Sequence, residues 1–303
     1  MPIGLVTGLG AALAWGTLDV LSAITGRRIG SLRVTTGIQV IGAAFVIGLA
    51  LASDASFPTD PRVLVGGALV GLTGAGAYLA YFTGLRMGPV AVVSGVVAAY
   101  GGLTVILAVI IRGENLTTTQ AVGAALATLG VVLTGLQFDG DWRSTRLAGP
   151  GVAFAIIGLV LFASMSIVTD IVIDLADWLQ VLLVSRSSNA IVTVVLLFIA
   201  LTVARERSRP VLADESGAEA GQATRDPRVL GLVVVAGLLD VAGLAVFTYG
   251  LEHAQTWLVG LASSFGPVVT IAAAVIFMGE RLRRIQWVGV ASIVAGMVAI
   301  AWR

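Results

Sequence analysis

The chain has 303 residues, 57% of them hydrophobic and only 12% charged, with a net charge of +1 and a mean hydropathy of +1.00. A water-soluble domain is about 25% charged, so this composition excludes a soluble globular fold and marks an integral membrane protein. No cysteine and one histidine, His253, exclude disulfides, thiol catalysis, Cys-based metal sites and a His-rich metal site.

A bilayer core is crossed by about 20 mostly apolar residues in a helix, and ten stretches qualify. They are 3–25, 33–53, 63–86, 89–111, 118–137, 148–170, 179–203, 228–251, 255–278 and 284–302. Helices rather than strands follow from their length, because each backbone amide must find its partner inside the segment. The first stretch carries no basic residue before Trp15 and stays apolar through Ile24. Despite Ala12-Leu13-Ala14, it reads as an uncleaved first membrane helix. Most connections are short, so neighbours run antiparallel. At 204–227, RERSRP followed by DESGAEAGQATRDP predicts a flexible solvated loop.

Arg27, Arg28, Arg33, Arg86, Arg143, Arg146, Arg205, Arg207, Arg209, Arg225, Arg228, Arg281, Arg283 and Arg284 flank the odd-numbered loops, whereas Arg62, Arg112 and Arg303 lie on the other side. The positive-inside rule then puts the odd loops in the cytoplasm and both termini outside.

The chain also aligns with itself at a shift of 166 residues. TGLRMGPV at 83–90 meets YGLEHAQT at 249–256, and RGENLTTTQAVGAALATLGVV at 112–132 meets MGERLRRIQWVGVASIVAGMV at 278–298. Shared positions include Gly84/Gly250, Glu114/Glu280, Gln120/Gln286, Gly123/Gly289 and Gly130/Gly296. Apolar matches recur by chance in membrane proteins, but the Gly-Glu-x-Leu-x3-Gln-x2-Gly frame does not. Each half holds five helices, and an odd number sends the second copy in upside down. The expected fold is all-α: ten transmembrane helices as two inverted five-helix repeats around a central cavity, with repeats at 1–137 and 148–303 joined by 138–147.

With the duplicated unit, Ala14-Trp15-Gly16 in the first helix, the repeated Gly-Glu signature and Gly266-Pro267 in the ninth, the chain resembles an EamA-type permease of the drug/metabolite transporter superfamily. The resemblance covers the whole chain. It implies a cavity lined by helices one, three, four, six, eight and nine, in a family that exports amino acids and other metabolites and whose relatives exchange nucleotide sugars or phosphorylated sugars. Two departures stand out. The first half has Tyr100-Gly101 where the second has Gly266-Pro267, and the arginine distribution reverses the family's cytoplasmic termini.

Gly/Pro-interrupted helices at matching places in two halves point to a transporter site. Tyr100-Gly101-Gly102 and Gly266-Pro267 are such a pair, with Ser263 and Ser264 as adjoining hydroxyls, although packing kinks are an alternative. Asp19, on the same face as Trp15, and Asp240 are intramembrane carboxylates. Each costs at least about 2.5 kcal/mol there and faces a cavity or a partner. They are candidates for a substrate amine or a coupling proton, or for structural pairing with Arg or Ser.

Under the resemblance, Trp15, Tyr78, Tyr81 and Tyr100 fall on cavity-lining helices, where aromatic walls suit a partly apolar solute. Glu114 and Glu280, with Gln120 and Gln286, read as a structural signature, the acid capping the amides of the next helix. His253 and Glu252 read as an interfacial pair. Arg186 reads as a side chain that snorkels to the interface or binds an anion.

The function expected is secondary transport, without a cofactor, of an amino acid, amine or similar solute, with export by alternating access. Exchange of a sugar-type or nucleotide-linked metabolite, a receptor or assembly role, and an intramembrane enzyme are the alternatives. No Walker motif or large soluble domain is present in the sequence. The expected partners are a small-molecule substrate and the lipid bilayer, without nucleic acid. Protons are a candidate coupling ion, and homodimerisation is left open.

Overall fold

The computed structural model describes residues 2–53, 55–87, 90–135, 150–207, 226–266, 268–269 and 284–301. Among them every regular element is a helix. In chain order these are α1 (Pro2–Ile29), α2 (Ser31–Ala52), α3 (Pro61–Met87), α4 (Val90–Ala98), α5 (Tyr100–Arg112), α6 (Thr118–Gly135), α7 (Pro150–Ile173), α8 (Trp178–Arg207), α9 (Pro227–His253), α10 (Thr256–Ser263) and α11 (Arg284–Ala301). Among the described residues seven spans are long and apolar enough to cross a membrane, one of them the broken helix Val93–Arg112 that joins most of α4 to α5. Two shorter apolar helices, Thr118–Leu133 and Trp287–Ile300, accompany them.

Inside lipid the backbone must satisfy itself, and so must the hydroxyls. Thr7, Thr25, Thr35, Thr104, Thr169 and Thr193 each donate to the carbonyl four residues earlier, at 2.7–2.9 Å. Two glycines turn the chain where other residues would be strained. Gly30 (φ 88) alone links α1 to α2, and Gly113 (φ 67) closes α5 in a left-handed cap whose N–H reaches the Ala108 carbonyl.

Small residues then let the helices touch. A Cβ on Gly123 would come 2.7 Å from the Gly296 carbonyl oxygen, and one on Gly130 2.6 Å from the Gly289 oxygen, so α6 and α11 pack backbone to backbone. Gly123 and Gly289 are equivalent in the repeat, as are Gly130 and Gly296, so the two contacts exchange under the shift. Larger contacts behave alike. α1 packs on α9 as α3 packs on α7, α2 meets α9 as α8 meets α3, and α10 crosses α5.

The fourth span breaks at Ala99, whose N–H bonds to the Val96 carbonyl three residues back (3.2 Å). The same tightening ends α10, where Ser264 and Phe265 donate to Leu261 (3.2 Å) and Ala262 (3.4 Å). Ala99 and Phe265 are 166 residues apart. The interruptions therefore sit at matching places, one residue before the Tyr100-Gly101 and Gly266 steps; Pro267 lies outside the described residues. α8 runs helical to Arg207, four residues into the stretch read as loop, because Ala204 to Arg207 are helix-compatible residues carrying the end of the span. Positions 208–225 lie outside the described residues.

Candidate functional site

The paired breaks face each other across the middle of the bundle. Gly101 of α5 lies so close to α10 that a Cβ there would fall 2.3 Å from Ser264 Oγ, and Gly16 of α1 approaches the Gly266 carbonyl to a notional 2.5 Å. Gly102 turns the other way, against Thr128 of α6. Close backbone approach is thus the physical use of these glycines, Gly16 of the Ala-Trp-Gly motif included.

Beside the crossing lies a half-open cavity, its space about 610 Å³ with the open solvent at its mouth included. Trp15, Leu18 and Asp19 of α1, Tyr78 and Tyr81 of α3, Ser94, Val97 and Ala98 of α4 and Tyr100 of α5 line one part. Phe162, Met165 and Ser166 of α7, Phe247 of α9, Ser263 and Ser264 at the end of α10, and Gly266 complete it. These helices are the first, third, fourth, sixth, eighth and ninth of the ten expected stretches.

The walls have two characters. Tyr81 Oη and Ser94 Oγ are 3.0 Å apart and Tyr100 Oη and Ser263 Oγ 2.7 Å apart, and Asp19 lines the same part of the cavity. This tier is polar. Phe162 stands among three tyrosines, with centroid distances of 5.1 Å to Tyr78, 5.9 Å to Tyr100 and 6.2 Å to Tyr81, while Trp15 packs on Phe247 at 5.5 Å. This tier is aromatic. Because α1 continues to Ile29, Asp19 sits deeper in its helix than the 3–25 stretch implied, one turn past Trp15 near the middle.

Asp240 is not among the described residues that line this cavity and stands in the other of its two expected roles, paired with an arginine. It stands at the midpoint of α9, 0% exposed, and accepts a 2.6 Å hydrogen bond from Tyr78 Oη. Arg186 Nη2 is 2.7 Å from Asp240 Oδ2, in ion-pair contact although not aligned as a hydrogen bond. Arg186 is 1% exposed, donates to Gln39 Oε1 through Nη1 and lies 6.0 Å from the Tyr78 ring centroid. It therefore does not snorkel: α8 is packed against α2, α3 and α9, and a carboxylate is at hand. Around it Gln39 Nε2, Asn189 Oδ1 and Arg186 Nε have no hydrogen-bond partner among the described residues.

Glu114 of the repeat signature does cap a helix, but a different one from that expected. Glu114 does not cap α6, the next helix. It reaches into the other half and accepts from the backbone N–H of Thr256 (2.9 Å) and Trp257 (3.0 Å), capping α10. α6 is capped by its own box, Thr117 N–H to Gln120 Oε1 at 2.9 Å and Gln120 N–H to Thr117 Oγ1 at 3.3 Å. Beside Glu114, Arg112 of α5 pairs with Asp170 (2.5 Å) and Asp174 (2.7 Å) at the end of α7. Glu280 and the Gln286 side chain lie outside the described residues.

Near the interfaces, His253 Nδ1 is 3.5 Å from Glu252 and the ring stacks on Tyr249 at 4.1 Å. Outside the spans, Asp60 accepts from the Arg62 side chain (2.9 Å) and backbone N–H (2.8 Å), and this pairing holds its carboxyl below the usual range. Sequence reasoning passed over Phe162, Phe247, Ser94, Gln39 and Asn189. Arg186 and Asp240 did carry a signal, as opposite charges inside two apolar helices.

Apolar helices broken at matching places around an amphipathic cavity define a multi-pass integral membrane protein of transporter type. The model of the EamA-like transporter family matches residues 2–136 and again 149–302. The chain belongs to the EamA-like transporter family, carrying the family unit twice. It is 28% identical over 76 residues to an uncharacterized protein of Methanocaldococcus jannaschii, a match covering 25% of this chain and 56% of that protein. It is 36% identical over 66 residues to Protein RarD of Streptomyces exfoliatus, covering 22% of this chain and 21% of RarD. The chain thus spans about half the length of the first relative and about a fifth of the second. A crystal structure shares the fold at a TM-score of 0.72 and 21% identity, over 98% of this chain and 95% of that one.

Proposed function

We propose that this chain is a secondary transporter that exports a small amphipathic metabolite, an amino acid, amine or similar solute, across the cytoplasmic membrane by alternating access. The observation that carries the reading is the cavity at the paired breaks, lined from both halves and divided into a hydroxyl-carboxylate tier and an aromatic tier. In this reading the chain has ten spans as two inverted repeats, supported by helix contacts that recur with the repeat partners exchanged. Trp15, Asp19, Tyr78, Tyr81, Tyr100, Ser263 and Ser264 meet the solute, and Asp240 holds Tyr78. Asp19 is the carboxylate that would carry a coupling proton.

Alternating access needs contacts between the halves that can part. The Arg112–Asp170–Asp174 cluster and the Glu114 cap on α10 join first half to second at one membrane face, so we assign them as the closure there. Gly4 packs on Ala254 and Gly123 on Ile300, which brings both chain ends to that face. The arginine distribution makes it the outer face.

Flux of labelled amino acids and amines into inside-out and right-side-out proteoliposomes, with and without a pH gradient, tests the proposal beside Asp19→Asn. Saturable flux lost in the variant is expected. Absence of flux for every solute from folded protein, or flux indifferent to Asp19, would refute it.

A further inference from the structure

The cavity's charge balance goes one step further, resting on the transport reading above. Asp19 is the only carboxyl group among the described lining residues, and no Lys, Arg or His stands with it there. Arg186, the cation buried in this bundle, is turned away. It is held by Asp240 beyond Tyr78, whose hydroxyl points to that pair while its ring remains at the wall. Asp19 itself is 8% exposed and lines the cavity, and its two carboxylate oxygens offer acceptor capacity there.

A ligand ammonium entering here meets a carboxylate in a low-dielectric setting and the aromatic rings of Trp15, Phe162 and Tyr100. A ligand carboxylate meets the opposite: no cation among the described lining residues, and a second carboxylate in the same space. A zwitterionic amino acid therefore gains at one end and loses at the other, since its own carboxylate must shed water without a partner. Ser94 and Ser263 supply hydroxyls, but both are already engaged with Tyr81 and Tyr100.

We infer that the cavity takes a monovalent organic ammonium ion with a compact aromatic or aliphatic body, and discriminates against zwitterionic amino acids and organic anions. Asp19 is its counter-ion and the aromatic tier its seat, while the Arg186–Asp240 pair keeps the positive charge of Arg186 out of the site.

A matched set tests this: phenethylamine, phenylalanine, phenylpropanol and phenylpropionate, titrated calorimetrically into the full chain in lipid nanodiscs at neutral pH. The amine is expected to bind at least about tenfold tighter than phenylalanine, equivalent to about 1.4 kcal/mol, and phenylpropionate weakest of all. Asp19→Asn should bring the amine-to-alcohol affinity ratio close to one, while Asp19→Glu restores the preference for the amine. Phenylalanine binding as well as the amine, an unchanged ratio in Asp19→Asn, or no binding by any member would overturn the inference. Proteoliposome flux separates it from the reading beneath. Flux of some other solute with no binding in this set would leave transport standing, and amine binding without flux of any solute would remove transport while leaving the ligand class.

Discussion

Replacing Arg186 with glutamine should be among the most damaging single changes in this protein. The substitution leaves Asp240, 0% exposed at the midpoint of α9, without the cation now 2.7 Å away. Tyr78 Oη, at 2.6 Å, would remain as a donor and soften the loss. Breaking a buried pair by removing one partner costs about 3–5 kcal/mol. The lower end, about 3 kcal/mol, already lowers the folded-to-unfolded ratio more than about a hundredfold. Removing both charges should be far milder. Arg186→Met with Asp240→Asn keeps an acceptor for Tyr78 and should cost at least about 2 kcal/mol less than Arg186→Gln alone. Reversible unfolding in mixed micelles, followed by tryptophan fluorescence, reads both. A single variant within about 1 kcal/mol of the parent, or a double variant worse than the single, would refute the view that this pair is a buried structural unit.

Glu114→Ala removes the cap on α10 and should cost about 1–2 kcal/mol in the same unfolding assay, with Glu114→Gln intermediate; no loss would mean that the two amides are satisfied otherwise. Gly123→Val drives a side chain into the Gly296 carbonyl, a notional 2.7 Å approach, and should destabilise by about 1–3 kcal/mol, visible as a lower midpoint of thermal unfolding. Tyr78→Phe and Asp240→Asn act on one hydrogen bond, so their effects on solute affinity should combine to less than their sum; simple additivity would separate Tyr78 from Asp240.

Much of the helical framework was legible in the sequence because lipid imposes it. A span needs length and apolarity, and both can be read residue by residue. The break in the fourth span was legible for a related reason: Tyr100-Gly101-Gly102 and Gly266 stand at matching positions in a duplicated frame, and the interruptions at Ala99 and Phe265 lie beside them. Trp15, Asp19, Tyr78, Tyr81, Tyr100, Ser263 and Ser264 all reach the cavity wall.

What the sequence hid were pairings between distant segments. Asp240 and Arg186 each stood out as intramembrane charges, yet nothing local shows that they meet across α8 and α9, so Asp240 stayed open between a substrate contact and a structural pair, and Arg186 between snorkelling and anion binding. Glu114 precedes α6 by a few residues, which made a local cap the natural expectation. The crossing of α5 and α10 brings it instead to Thr256 and Trp257. Phe162 has no neighbouring motif and gains its place only through the three tyrosines from α3 and α5.

Alternating access through this cavity can be tested with one engineered residue, because the chain contains no cysteine. Ser263→Cys places a single thiol in the cavity wall, and a membrane-impermeant thiol reagent can then be offered to either face of oriented proteoliposomes. If the cavity is the transport site, the thiol reacts from both faces, more slowly when transported solute is present, and Arg112→Gln speeds reaction from the face that carries the chain ends. Reaction from one face alone, unaffected by solute, would contradict a centrally placed alternating-access site.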